Sequence, residues 1–85
     1  MKKFTYIITD MQGIHARPAG LLVKQAGEFK SDIKIGKGDT IADAKRIFGV
    51  MGLGAKQGEE VFITTEGEDE EKAAESLEMF FKENL

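Results

Sequence analysis

Apolar and polar positions change their spacing several times along this chain, and each change marks an element. Residues 4–9, FTYIIT, interleave aromatic and aliphatic side chains with threonines, which predicts a strand. Gly13 breaks that pattern. From Ala16 to Phe29 the residues Ala19, Leu22, Val23, Ala26 and Phe29 recur at helical spacing, which predicts a helix. Pro18 falls in its first turn, where a missing N–H costs nothing, and Gly27 lies near its end. Residues 32–44, DIKIGKGDTIADA, predict two short strands joined by a turn at Gly36–Asp39. Residues 59–66, EEVFITTE, predict another strand. Residues 68–85 predict a closing helix, with acidic residues in its first turn to complement the helix dipole. Its apolar stripe is Ala73, Ala74, Leu77, Phe80 and Phe81.

Residues 45–54, KRIFGVMGLG, fit neither period well. They are too glycine-rich for a long helix, so one or two helical turns ending near Gly52–Gly54 are expected. Ile47, Phe48, Met51 and Leu53 are many large apolar residues for so short an element. They pack into the core, with Ile47 or Val50 taking part, or they form a partly exposed apolar patch of the kind that marks a docking site. The sequence leaves both readings open. The element order β-α-β-β-α-β-α, with helices covering one face of three or four strands, predicts an α+β two-layer sandwich. A chain of 85 residues is read as one domain, 1–85.

Composition narrows the function. With 41% hydrophobic and 32% charged residues the chain reads as an ordinary soluble globule. A net charge of −3 disfavours non-specific nucleic-acid binding, which needs a basic face. The absence of cysteine removes disulfides and thiolate metal sites, and a single histidine makes a zinc site untenable. No apolar run approaches the roughly 18 residues of a membrane span, and MKKFTYIITD is too interrupted for a signal peptide, so a cytoplasmic protein without membrane insertion is expected. The glycines of GVMGLGAKQG match neither a dinucleotide fingerprint nor a P-loop, so no cofactor is expected.

The chemistry concentrates in GIHARPAG, residues 13–20, which holds the only histidine and the only proline. His15 stands just before a helix, whose first turn offers unpaired N–H groups and the positive dipole end to an anion. Those donors come from around Ala16 and Arg17, with Pro18 in the same turn. The Arg17 guanidinium can fork onto a phosphate or a carboxylate. Imidazole is a competent nucleophile near neutral pH. These parts describe a phosphorylatable histidine; the plainer reading is a surface or capping residue. Only Asp10 lies close enough in sequence to supply an acid partner.

Three stretches then match a known family. GIHARPAG, AKRIFGVMGLGAKQGEEV and EGEDEEKAAESL, in register over essentially the whole chain, resemble the HPr phosphocarriers of the bacterial phosphoenolpyruvate-dependent sugar phosphotransferase system (PTS). The resemblance implies an open-faced β-sandwich, a four-stranded antiparallel sheet covered on one face by three helices. It implies a stoichiometric carrier rather than an enzyme. His15 would accept a phosphoryl group on Nδ1 from phosphorylated enzyme I and pass it to the IIA domains of sugar permeases, with Arg17 stabilising the group. Both partners would dock on Ala16, Gly20, Val23 and Lys24 of the first helix and on Ile47, Phe48 and Met51 of the short one, with Gln57 at the rim. Lys24, Lys45 and Arg46 would ring that patch with positive charge, which suits transient docking. A monomer is expected, because a carrier's docking surface must stay free.

One departure matters. Many family members carry, at the position of Arg46, a serine that an ATP-dependent HPr kinase/phosphorylase modifies for catabolite repression. Arg46 has no hydroxyl, so that regulatory site is expected to be missing, together with the N-cap a serine would give the short helix. Arg46 is either a permanent positive charge favouring an acidic enzyme I surface or an ordinary solvated side chain. Gly52 likewise stands where many Gram-positive relatives have serine. Two other functions stay open beside sugar transport: a regulatory phosphorelay paralogue, and a binding protein that never accepts phosphate.

Overall fold

The computed structural model describes residues 1–85. Its elements follow the expected order: β1 (Lys2–Ile7), α1 (Ala16–Ala26), β2 (Asp32–Lys37), β3 (Thr40–Asp43), α2 (Ile47–Gly52), β4 (Glu60–Glu66) and α3 (Glu70–Asn84). The four strands form one antiparallel sheet in the order β1-β4-β2-β3. Tyr6 lies opposite Val61, Ile35 opposite Ile63, and Ala42 opposite Ile35.

Side-chain alternation sorts the two faces of this sheet. Ile33, Ile35, Val61, Ile63 and Thr65 are buried on the helix side, while Thr5 and Lys34 stand exposed on the other. Against the buried face lie Ala19, Leu22 and Ala26 of α1 and Ala73, Leu77, Phe80 and Phe81 of α3, so the helical stripes read from the sequence face the core except for Ala74, which stands half-buried beside Lys2, Glu71 and Glu75. Phe81 is the centre of an aromatic group, with the rings of Phe4, Tyr6 and Phe80 at 6.0, 5.4 and 5.9 Å. On the open face the Phe62 ring lies over Gly36, and the Lys3 ammonium sits 4.7 Å from that ring.

Several boundaries differ from expectation, two because of a contact distant in sequence and one because of a local tightening. The first strand runs Lys2–Ile7 rather than 4–9, because the Thr9 and Asp10 N–H groups turn away to Leu85 O. The first helix stops at Ala26 rather than Phe29, because the Glu28 and Phe29 N–H groups donate to Gln25 O and Ala26 O, three residues back, in a tightened final turn. Gly36 belongs to β2, where a Cβ would strike the Phe62 ring; the turn is the two-residue Gly38–Asp39 between Lys37 and Thr40.

The short helix answers the question left open at residues 45–54. It has six residues, Arg46 is its N-cap, and no side chain caps it, as expected without serine there. Val50 and Leu53 are buried and Ile47 packs against the core, whereas Phe48 is 86% exposed and Met51 39%. Both readings therefore hold, on opposite faces of one element.

Candidate functional site

The site begins with a loop that the rest of the chain pins down. Leu85 O accepts the Asp10 N–H at 2.9 Å and the Thr9 hydroxyl at 2.8 Å, so the end of α3 is stitched to the segment leading to His15. The Asp10 carboxylate folds back onto the Gln12 N–H. Gly13 then passes directly over the Ala55 carbonyl at φ +68°, and a Cβ there would lie 2.2 Å from that oxygen. Only glycine meets both demands. The Ile14 N–H donates to the same carbonyl at 3.0 Å.

His15 follows as the N-cap of α1, in extended conformation. Its carbonyl accepts the Ala19 N–H, which leaves the first-turn donors of Ala16 and Arg17 without an acceptor in the chain; Pro18 has none to offer. No acidic residue stands in this first turn and no side chain caps it. Arg17 is exposed and makes no ion pair. His15, Arg17 and Pro18 line one open pocket of about 240 Å³, together with Asp10, Leu21 and Asn84. The His15 ring is half-buried, with Nδ1 3.2 Å from Gly13 O. A hydrogen bond there requires a proton on Nδ1, since a carbonyl oxygen only accepts.

The residues expected to dock partners come together in part. Gly20 lies beneath Ile47, whose Cδ1 would sit 3.8 Å from a Cβ at that position, so α1 and α2 meet there. Phe48 and Met51 stand out from this junction, and Val23 packs half-buried against the core. Arg46 is exposed, its Nε 3.9 Å from the Asp43 carboxylate. Lys24 is exposed on the side of α1 that faces α3, beside Leu21 and Phe80. The basic ring is thinner than expected, because Lys45 is half-buried and its ammonium donates to Phe29 O at 2.7 Å. Gln57 is exposed, but its amide donates to Thr9 O and so serves the loop before His15.

Asn84 and Leu21 line the His15 pocket without having been expected to. The helical period carries the signal for Asn84, one turn beyond the buried Phe80, to whose carbonyl its amide donates. Leu21 belongs to no apolar stripe and carries none.

The comparisons with known proteins agree on one family. Residues 2–83 match the family model described as the PTS HPr component phosphorylation site. The phosphocarrier protein HPr of Lysinibacillus sphaericus is 46% identical over 77 residues, 91% of this chain and 88% of that protein. A crystal structure of HPr from Thermoanaerobacter tengcongensis superposes with a TM-score of 0.92 at 41% identity, covering 96% of this chain and 92% of that one. The catabolite-repression protein Crh of Bacillus subtilis, solved as a dimer with a swapping domain, superposes with a TM-score of 0.79 at 35% identity, covering 100% of this chain and 98% of that one.

Proposed function

The chain belongs to the PTS HPr family, and from that premise we propose that it is a stoichiometric phosphoryl carrier whose acceptor is His15. Phosphorylated enzyme I is the donor and the IIA domains of sugar permeases are the acceptors. The observation that carries this reading is one pocket that gathers an imidazole and an unpaired guanidinium beside two unpaired backbone N–H groups. The group that receives phosphate thus stands beside the groups that hold it.

Transfer through Nδ1 requires two local changes. The proton must reside on Nε2, and the ring must turn from the Gly13 carbonyl, since a nitrogen donating a hydrogen bond has no lone pair to attack with. Nδ1 then bonds phosphorus, the bond from phosphorus to the donor atom of enzyme I breaks, and that donor atom keeps the electron pair. The Ala16 and Arg17 N–H groups and the Arg17 guanidinium accommodate the phosphoryl oxygens. These stabilisers are few and open to solvent, so the group is held firmly enough to survive and loosely enough to leave.

Docking of both partners falls to Gly20 and Ile47, with Phe48 and Met51 exposed beside them and Arg46 at the rim. With arginine at position 46, the chain carries the histidine branch without the serine branch. Residues 1–85 act as one monomeric cytoplasmic unit. Intact mass after incubation with phosphoenolpyruvate, magnesium and enzyme I tests the acceptor; ATP with an active HPr kinase tests the missing serine, and any seryl label contradicts it.

A further inference from the structure

The loop between α2 and β4 carries no residue of the pocket, yet it is fastened from both sides. Lys56–Glu59 is a tight turn, closed by the Glu59 N–H donating to Lys56 O at 3.0 Å, with Gly58 at φ +87° in the place a type II turn reserves for glycine. The Glu59 carboxylate reaches back across the turn: Oε1 accepts the Lys56 N–H at 2.7 Å and the Lys37 ammonium at 3.2 Å. The same ammonium donates to Gly54 O at 3.2 Å, so one lysine of β2 grips both ends of the loop. The hydrogen bond from the Lys56 N–H, followed by that from Lys37, holds the Glu59 carboxyl below the usual carboxylate range.

The other side of the loop bears on the His15 segment. Ala55 O accepts the Ile14 N–H and meets the backbone of Gly13; the Gly58 N–H donates to Ile8 O at 2.8 Å; Gln57 donates to Thr9 O at 3.2 Å. An exposed ion pair alone contributes little to stability. Here the carboxylate also closes a backbone turn, so its effect is on where the loop sits.

We propose that Glu59 and Lys37 are positioning residues for His15, bracing loop 54–58 so that Ala55 holds the backbone of Gly13 and Ile14 in place. The inference rests on the carrier reading above. Without the carboxylate the turn opens more often, the Ile14 hydrogen bond breaks with it, and the imidazole spends less time where transfer occurs. Misplacement by about an ångström at a group-transfer site costs up to roughly a hundredfold.

The test compares wild type, Glu59→Ala and Glu59→Gln by amide hydrogen exchange and by phosphorylation with enzyme I. Glutamine keeps an acceptor oxygen for Lys56 and Lys37; alanine keeps none. In Glu59→Ala the Ile14 amide is expected to exchange about tenfold faster while amides in the centre of β4 hold their rates. Its kcat for phosphorylation is expected to fall roughly tenfold at unchanged KM for enzyme I, with Glu59→Gln near wild type. An unchanged Ile14 rate, an unchanged kcat, or a loss confined to KM overturns the proposal. If wild type takes no label, the carrier reading fails on its own, and the Ile14 rates alone decide whether the clamp exists.

Discussion

Two helices of this molecule begin with opposite charge. At the start of α3 the chain supplies its own negative charge: Glu70 and Glu71 occupy the first turn, and the Glu70 carboxylate accepts the Gly67 N–H. The Asp69 carboxylate beside them accepts the hydroxyl and N–H of Ser31 and the N–H of Lys30, tying the strand–helix junction to the end of the α1 loop. Neither helix has a side-chain cap and each leaves two first-turn N–H groups without an acceptor in the chain, but at the start of α1 no acid stands beside them and an arginine stands free. The first arrangement supplies its negative charge from within. The second, on the proposed carrier reading, receives its negative charge from outside. A protein of net charge −3 thus keeps one corner ready for negative charge by spending no carboxylate on that helix's first turn.

The largest effect is expected from making the first helix start like the second. Arg17→Glu puts an acid in the α1 first turn, which should raise thermal stability by about 0.3–1 kcal/mol through the helix dipole. The same change should slow phosphorylation by about a thousandfold, since it removes one phosphoryl donor and adds a like charge. Melting curves and labelling rates on one preparation read both effects; a parallel fall in both would mean that the open helix start serves stability.

A second contrast lies within α2. Val50→Ala should lower stability by about 2 kcal/mol, because Val50 is fully buried. Phe48→Ala should leave stability within about 0.5 kcal/mol and weaken partner binding by about 10- to 100-fold. Denaturant melts and titration calorimetry separate the two, and a Phe48→Ala variant with intact affinity would remove this residue from the docking surface.

A smaller effect belongs to the α3 junction. The Ser31 hydroxyl, then the Lys30 N–H, hold the Asp69 carboxyl low, at about 2. A depressed folded-state value means that its contribution to stability is complete above the unfolded carboxylate's pKa of about 3.9. That contribution fades as pH falls from about 4 towards 2. Asp69→Asn should flatten acid unfolding in this window and leave labelling of His15 untouched at neutral pH. The smallest expected change is Arg46→Ser, which should reduce affinity for enzyme I two- to threefold or about that, in a salt-dependent way. An identical affinity would make Arg46 an ordinary solvated side chain.

What the sequence revealed follows the range of the forces involved. The stripe of α3 and the alternation of β4 were legible because a local period sets which side chain faces the sheet. The grouping in GIHARPAG was legible because its free N–H groups, imidazole and arginine are neighbours in the chain. The ends of β1 and α1 were not, since Leu85 decides the first and a tightened turn at Ala26 the second. Gly36 looked like a turn residue because its reason, the Phe62 ring, lies on another strand. Lys45 and Gln57 looked free because the carbonyls that hold them, Phe29 and Thr9, are remote in sequence. The division of α2 into a buried and a displayed face needed the position of β3, which Gly49 meets at Ala42.

On the proposed carrier reading, the open helix start holds a phosphoryl group on His15. Intact-mass measurement of wild type and His15→Ala, after incubation with phosphoenolpyruvate, magnesium and enzyme I, tests it most directly. One acid-labile, base-stable phosphoryl group is expected on the wild type and none on the variant. An unlabelled wild type, or a variant that still takes up the group, would contradict it.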